Sequence, residues 1–333
     1  MGFTTKLWPI LLLLTLPAVA NAQFTFTTNN GAITITGYTG PGGAVVIPST
    51  TNGYPVTEIG NASLTNPSIT SVTIPESVTV IATSAFIDCT NLTSVIIPDS
   101  ITNIGDYAFY LCSSLTSVTI PNSLPSIGYE VFYSCSSLTN ITIGNGATSI
   151  GNWAFEYCTR LTRVTIGNNV TNIGDGAFEH CTNLSTVTLP ASLNNIQIAA
   201  FGFCPSLTSV YFKGNAPSAY TTSFDYMNHV TVYYLPGTTG WSTLFYGLPA
   251  VLWNPQAEKD ASFAVQTNRF GFNITGSSNL VIVVEACTNL SNPIWLPVST
   301  NTLNTFIGTN GMSFFSDPQW TNYSSRFYRF SSP

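Results

Sequence analysis

Residues 115–135 read Leu-Thr-Ser-Val-Thr-Ile-Pro-Asn-Ser-Leu-Pro-Ser-Ile-Gly-Tyr-Glu-Val-Phe-Tyr-Ser-Cys, and the pattern returns every 23 residues. One unit earlier it is Leu92, Val95, Ile97-Pro98, Ile101, Ile104-Gly105, Ala108-Phe109 and Cys112. Leu-x-x-Val-x-Ile alternates as a strand does. Pro98, Pro121 and Pro190 end it, because Pro has no N–H for a ladder, and Gly144 and Gly167 take that place in two units. Gly105, Gly128, Gly151 and Gly174 mark a second bend where a side chain would crowd the backbone. The Ala-Phe segment is expected to form a short helical or 3₁₀ turn on the far side. A fixed period of this length means one small unit stacked on copies of itself.

Working outward, the unit extends over most of the chain. Strand ends fall at Pro48, Pro75, Pro98, Pro121, Gly144, Gly167 and Pro190, and only the first interval, of 27 residues, departs from 23. Leu207, Val210 and Phe212 make another strand, and Val230 to Leu235 a last one before Pro236. Phe24-Thr-Phe and Ile33-Thr-Ile, joined through Asn29-Asn30-Gly31, read as a hairpin that closes the open end of the stack. Nine coils at about 4.8 Å each give a rod roughly 40 Å long.

Cys89, Cys112, Cys135, Cys158, Cys181 and Cys204 keep the same period, and Met227 stands where a seventh would fall. Each follows a core Phe at a fixed offset, so all should point inward in one column. Parallel Cβ vectors about 4.8 Å apart suit free thiols better than disulfides, which need converging vectors and Cβ atoms about 3.8 Å apart. Disulfides and a metal site stand as the alternatives. Cys287 has no evident partner.

The unit Leu-Thr-Ser-Val-Thr-Ile-Pro … Ile-Gly … Ala-Phe-x-x-Cys resembles the BspA-type leucine-rich repeat of bacterial surface proteins. Ile33-Thr-Ile-Thr-Gly-Tyr-Thr-Gly and Val46-Ile47-Pro48 resemble the opening coil common in those proteins. The resemblance implies a leucine-rich-repeat solenoid, with a parallel sheet on its concave face and short turns opposite. It also implies a secreted or surface-attached protein used in adhesion or binding rather than catalysis.

Periodicity stops near Trp253. Residues 254–262, with Glu258-Lys259-Asp260, read as a linker. Beyond it, Phe270 to Ile274, Leu280 to Glu285, Ile294 to Val298, Met312 to Phe315 and Arg326 to Phe330 alternate as short strands. They predict a small antiparallel β-sandwich over 263–333. Asp317-Pro318 … Arg326-Phe327-Tyr328-Arg329 resembles the C-terminal modules of secreted Verrucomicrobia-type proteins, which leaves anchoring, sorting or glycan contact open. The expected organisation is thus a signal peptide (1–22), a cap and first coil (23–66), repeats (67–253), the linker and the sandwich.

The opening segment carries Lys6, an apolar run from Leu7 to Val19, and Ala20-Asn21-Ala22 as a cleavage site. It predicts export, with an uncleaved anchor as the alternative. Only 7% of the 333 residues are charged and the formal net charge is −6, against about 25% charged in ordinary chains. Without a basic cluster, nucleic acid is an unsuitable partner. With two His, no Gly-x-Ser-x-Gly elbow and no phosphate loop, the reading is a non-catalytic monomer without cofactor or metal.

Alternation turns two columns outward on the long sheet, and binding is placed there: Thr119, Thr142, Arg163, Thr165, Thr188 and Tyr211, facing a protein or glycan. Thr is also a good strand residue, so the row could be filler. A Thr ladder suited to ice, or a glycan hydrolase with an unrecognised site, are the competing readings. Glu156 and Glu179 stack in adjacent coils near Arg160 and His180, forming either a polar contact patch or a solvated face with local charge offset.

Overall fold

The computed structural model describes residues 23–226, 229–266, 269–276, 281–303 and 311–331. The signal-peptide segment and Met227 lie outside the described residues. The repeats form a solenoid with a strand from each coil in one long sheet of eleven strands. From Gly43–Val46 through Ser117–Ile120 to Leu248–Leu252 these strands run parallel, and the edge strand Leu244–Phe245 is antiparallel. The register follows the sequence period: Ser117 pairs with Asn140, and Asn140 with Arg163. The last steps shorten, so that Thr231 rather than a residue one further on pairs with Ser209.

After the Pro or Gly corner, a two-residue strand such as Ser126–Ile127 or Ser149–Ile150 forms a second parallel ladder. Gly151 lies where coils touch; a Cβ there would sit 2.6 Å from the Gly128 carbonyl oxygen. The third side is turns rather than the expected helical pieces. Tyr107 and Leu111 have φ of 60° and 58°, and such left-handed residues stop a right-handed helix from propagating. Ala108, Tyr110 and Cys112 donate to carbonyls three residues back, while Tyr107, Phe109 and Leu111 donate to Tyr129, Val131 and Tyr133 of the next coil at 2.9–3.0 Å. The backbone polar groups are thus satisfied by alternating local and inter-coil bonds.

The interior is a set of columns. Phe86, Phe109, Phe132, Phe155, Phe178 and Phe201 are fully buried and stack at 5.0–5.4 Å between ring centroids. The six repeat cysteines are buried free thiols, as is Cys287. Each repeat thiol donates to a carbonyl of the previous coil: Cys158 to Phe132 at 3.4 Å, Cys181 to Phe155 at 3.3 Å. Burial raises their pKa, to about 12 for Cys89 and Cys204. The column therefore packs and weakly hydrogen-bonds; thiolate chemistry is suppressed. Another Thr column, Thr116, Thr139 and Thr162, donates to carbonyls one coil back at 3.1–3.2 Å.

The opening hairpin pairs Phe24–Asn29 with Ala32–Tyr38, and Asn30 and Gly31 between them both have positive φ, as a tight hairpin turn requires. The tail has two antiparallel sheets. One joins Arg269–Gly276 to Gln256–Ala257, Ala264–Gln266 and Gly311–Asp317; the other joins Val281–Cys287 to Leu296–Thr302 and Phe327–Ser331. The expected linker is built into this tail: Gln256 and Ala257 pair with Thr275 and Ile274, and Asp260 accepts bonds from Ser262 and Asn273. Turn-forming Asp260 and the edge of the sheet hold the segment, so its charge does not make it a free tether.

Candidate binding cleft

The outward columns of the long sheet change along the rod. Thr119, Thr142, Arg163 and Thr165 are exposed, Thr186 and Thr188 are half-buried, and Tyr211 is only 4% exposed. The tail causes this gradient. Tyr211 and Tyr233 stack at 5.0 Å and share a core cluster with Phe272, Ile274, Ile282, Val284, Leu303 and Phe315. The reading of Tyr211 as open binding surface is thus corrected: it points out of the solenoid, but the antiparallel tail covers it. In Ser209–Phe212 all four residues are buried, because the solenoid core takes one face and the tail the other.

A cavity of about 530 Å³ remains beside this contact. Arg163, Thr165, Thr188 and Tyr211 line it on the solenoid side, and Glu285 and Arg329 line it from the tail. Four of the expected residues thus meet in one cleft, whereas Thr119 and Thr142 share the sheet face but lie outside it. Tyr233, an aromatic contact residue expected near the last coils, also lines the cleft, as do Lys213 and Trp253, which alternation missed. Lys213 follows the strand end and Trp253 follows the last strand, so neither falls in a period-two column. Their sequence signal is rarity: Lys213 is one of eight basic residues in the chain.

Arg329 is committed to Glu285 at 2.6 Å and lies 4.6 Å from the Trp295 ring centre. Among the described residues, neither Arg163 nor Lys213 has a carboxylate partner. Burial raises the Tyr211 pKa, with Tyr233 adding to the effect and Ser209 opposing it. Tyr211 Oη and Trp253 Nε1 are buried without a well-formed hydrogen bond. The cleft therefore presents donors and cations in excess of acceptors.

The second expected patch lies on the turn side. Glu156 is half-buried there, and its pKa is pushed up to about 7 by burial, then by Glu179 and Glu130. Glu179 is also raised, chiefly by burial, with His180 opposing; His180 Nε2 is 3.9 Å from Glu179 Oε1. Arg160 is exposed and pairs with none of the described carboxylates, so it does not offset the glutamates. His180 is a rung of an aromatic ladder, between Tyr157 at 4.5 Å and Phe203 at 4.7 Å.

Six copies of the "BspA type Leucine rich repeat region" match residues 57–166 and 102–231. The chain belongs to the BspA-type leucine-rich repeat family. It is similar to a leucine-rich repeat protein of T. pallidum (TpLRR) at 29% identity, covering 68% of this chain and 89% of that one, with a TM-score of 0.46. A leucine-rich cell surface protein from Faecalibacterium prausnitzii is 22% identical over 69% of this chain and 92% of that one, TM-score 0.45. A leucine-rich repeat protein from Bacteroides ovatus is 22% identical over 69% and 75%, TM-score 0.44. No curated protein matches the chain. Among the described residues, no helix is long and apolar enough to cross a membrane.

Proposed function

We propose that this chain is a secreted or cell-surface adhesion protein that acts as a monomer and holds a protein or glycan on the long sheet. Its contact site is the cleft where the sheet meets the tail. The observation that carries this reading is the convergence of Arg163, Lys213, Thr165, Thr188 and Tyr211 on one cavity of about 530 Å³, within the size range of ligand sites, about 300–1,000 Å³. An ice-binding ladder fits less well, since Ile96 at 74% exposure and Arg163 interrupt the Thr face and the tail covers its end at Tyr211.

The test presents the full chain to a glycan array and to extracellular-matrix proteins. The double substitution Arg163→Glu, Lys213→Glu should abolish capture, whereas Arg160→Glu on the turn side should leave it intact. Full capture by the double variant would place the ligand elsewhere on the molecule.

A further inference from the structure

We propose that the cleft takes a saccharide carrying oxyanions, a uronate or sulfated sugar chain, an assignment that rests on the cleft being the contact site. Charge comes first. Three of the chain's eight basic residues, Arg163, Lys213 and Arg329, line this one cavity, against the single carboxylate of Glu285. Glu285 is taken by Arg329. Arg163 and Lys213 thus face the cavity without a described counter-charge, in a chain whose formal net charge is −6. A guanidinium and an ammonium free in one cleft are donors suited to carboxylate or sulfate oxygens.

The second observation is independent of charge. Tyr211 is 4% exposed and lines the cavity, and its hydroxyl has Ser209 beside it but no well-formed hydrogen bond; Trp253 on the same cavity is half-buried, with its indole N–H buried and unbonded. Buried polar groups are ordinarily satisfied, and exceptions at a cavity point to a missing partner. Arg163, Lys213 and the Trp253 indole can only donate and Tyr211 can donate as well as accept, so a partner rich in acceptor oxygens satisfies all four.

Arrangement favours a saccharide over a peptide. Arg163 and Lys213 lie two strands apart in the sheet and four positions apart along it. Strand spacings of about 4.8 Å and about 3.3 Å per residue put their Cα atoms roughly 16 Å apart, a span gripped by an extended chain with more than one anionic group. Thr165, Thr186 and Thr188 add hydroxyls between them. The strands beneath are paired on both sides, so no free strand edge is offered for a peptide to extend.

The test titrates the full chain calorimetrically with oligogalacturonate, a heparin-derived oligosaccharide, neutral malto-oligosaccharide and oligoglutamate. At least one acidic saccharide should bind at least about tenfold more tightly than the neutral one, and more weakly as salt is raised from about 50 to about 300 mM. Arg163→Gln and Lys213→Gln should each weaken it by about tenfold, while Arg160→Gln changes it less than about twofold. These are surface substitutions, and circular dichroism checks the fold of each variant. No binding of either acidic saccharide, or equal binding of the neutral one, overturns the oxyanion assignment. Oligoglutamate binding as tightly as the best acidic saccharide overturns the saccharide assignment but keeps the cleft. Binding of either acidic saccharide that survives both cleft substitutions overturns the assignment and the proposed contact site together.

Discussion

Phe155→Ala removes one rung from the middle of the aromatic column. Phe155 is fully buried and stacks on Phe132 at 5.3 Å and Phe178 at 5.2 Å. Truncating a buried Phe costs about 3–5 kcal/mol, and two ring contacts place this site near the upper end, about 4–5 kcal/mol. In a stacked array each coil touches only its neighbours, so the deficit should stay local. The adjacent cysteines report it: Cys158 is in the same coil, and the Cys181 thiol donates to the Phe155 carbonyl at 3.3 Å. A local deficit of about 4 kcal/mol raises the opened population about 10³-fold, at 1.4 kcal/mol per factor of ten. Alkylation read by mass spectrometry should therefore find Cys158 and Cys181 labelled far faster than in the parent protein. Cys89 and Cys287 should change little. A stability loss under about 1 kcal/mol, or equal acceleration at all seven cysteines, would refute the column-by-column account.

Other outcomes follow from single contacts. Gly146→Ala would put a Cβ 1.8 Å from the Asn122 carbonyl oxygen and should cost about 1–3 kcal/mol in denaturant unfolding. Gly237→Ala, at φ +81° in open space, should cost only about 1–2 kcal/mol of backbone strain. Glu156, with its pKa raised to about 7 from 4.5, binds more protons in the folded than in the unfolded state between those values. Its contribution to stability is therefore lost as pH rises through that window. Glu156→Gln should flatten the fall in melting temperature across it, and an unchanged profile would count against a half-buried Glu156 carboxyl raised by burial first and by Glu179 and Glu130 second.

The repeat was legible because every coil repeats the same local physics: an alternating strand, a Pro or Gly corner, a crowded Gly bend, and Phe and Cys pointing inward. The thiol reading followed from the parallel Cβ vectors and from Met227 at the next cysteine position, and the structure shows free cysteines. The turn segments misled because an Ala-Phe pair suits a helix locally, and only inter-coil bonds such as Phe109 to Val131 reveal why it is not one. The site was half legible. Alternation found Arg163, Thr165 and Thr188, since facing outward is a local property. That Tyr211 meets Phe272 and Phe315 is a contact between distant parts of the chain, and no local pattern encodes it. One hint was present: an aromatic in a column that is Thr everywhere else from Thr119 to Thr188, paired in register with Tyr233.

The central claim is that the tail packs over the end of the long sheet and makes the cleft. Tyrosine nitration of the full chain, mapped by mass spectrometry, tests it most directly. Tyr226 and Tyr220, 74% and 51% exposed, should be nitrated rapidly, and Tyr211 and Tyr233, at 4% and 5%, should be protected. Nitration of Tyr211 and Tyr233 as fast as Tyr220 in the folded protein would mean that the sheet face is open and the cleft does not exist.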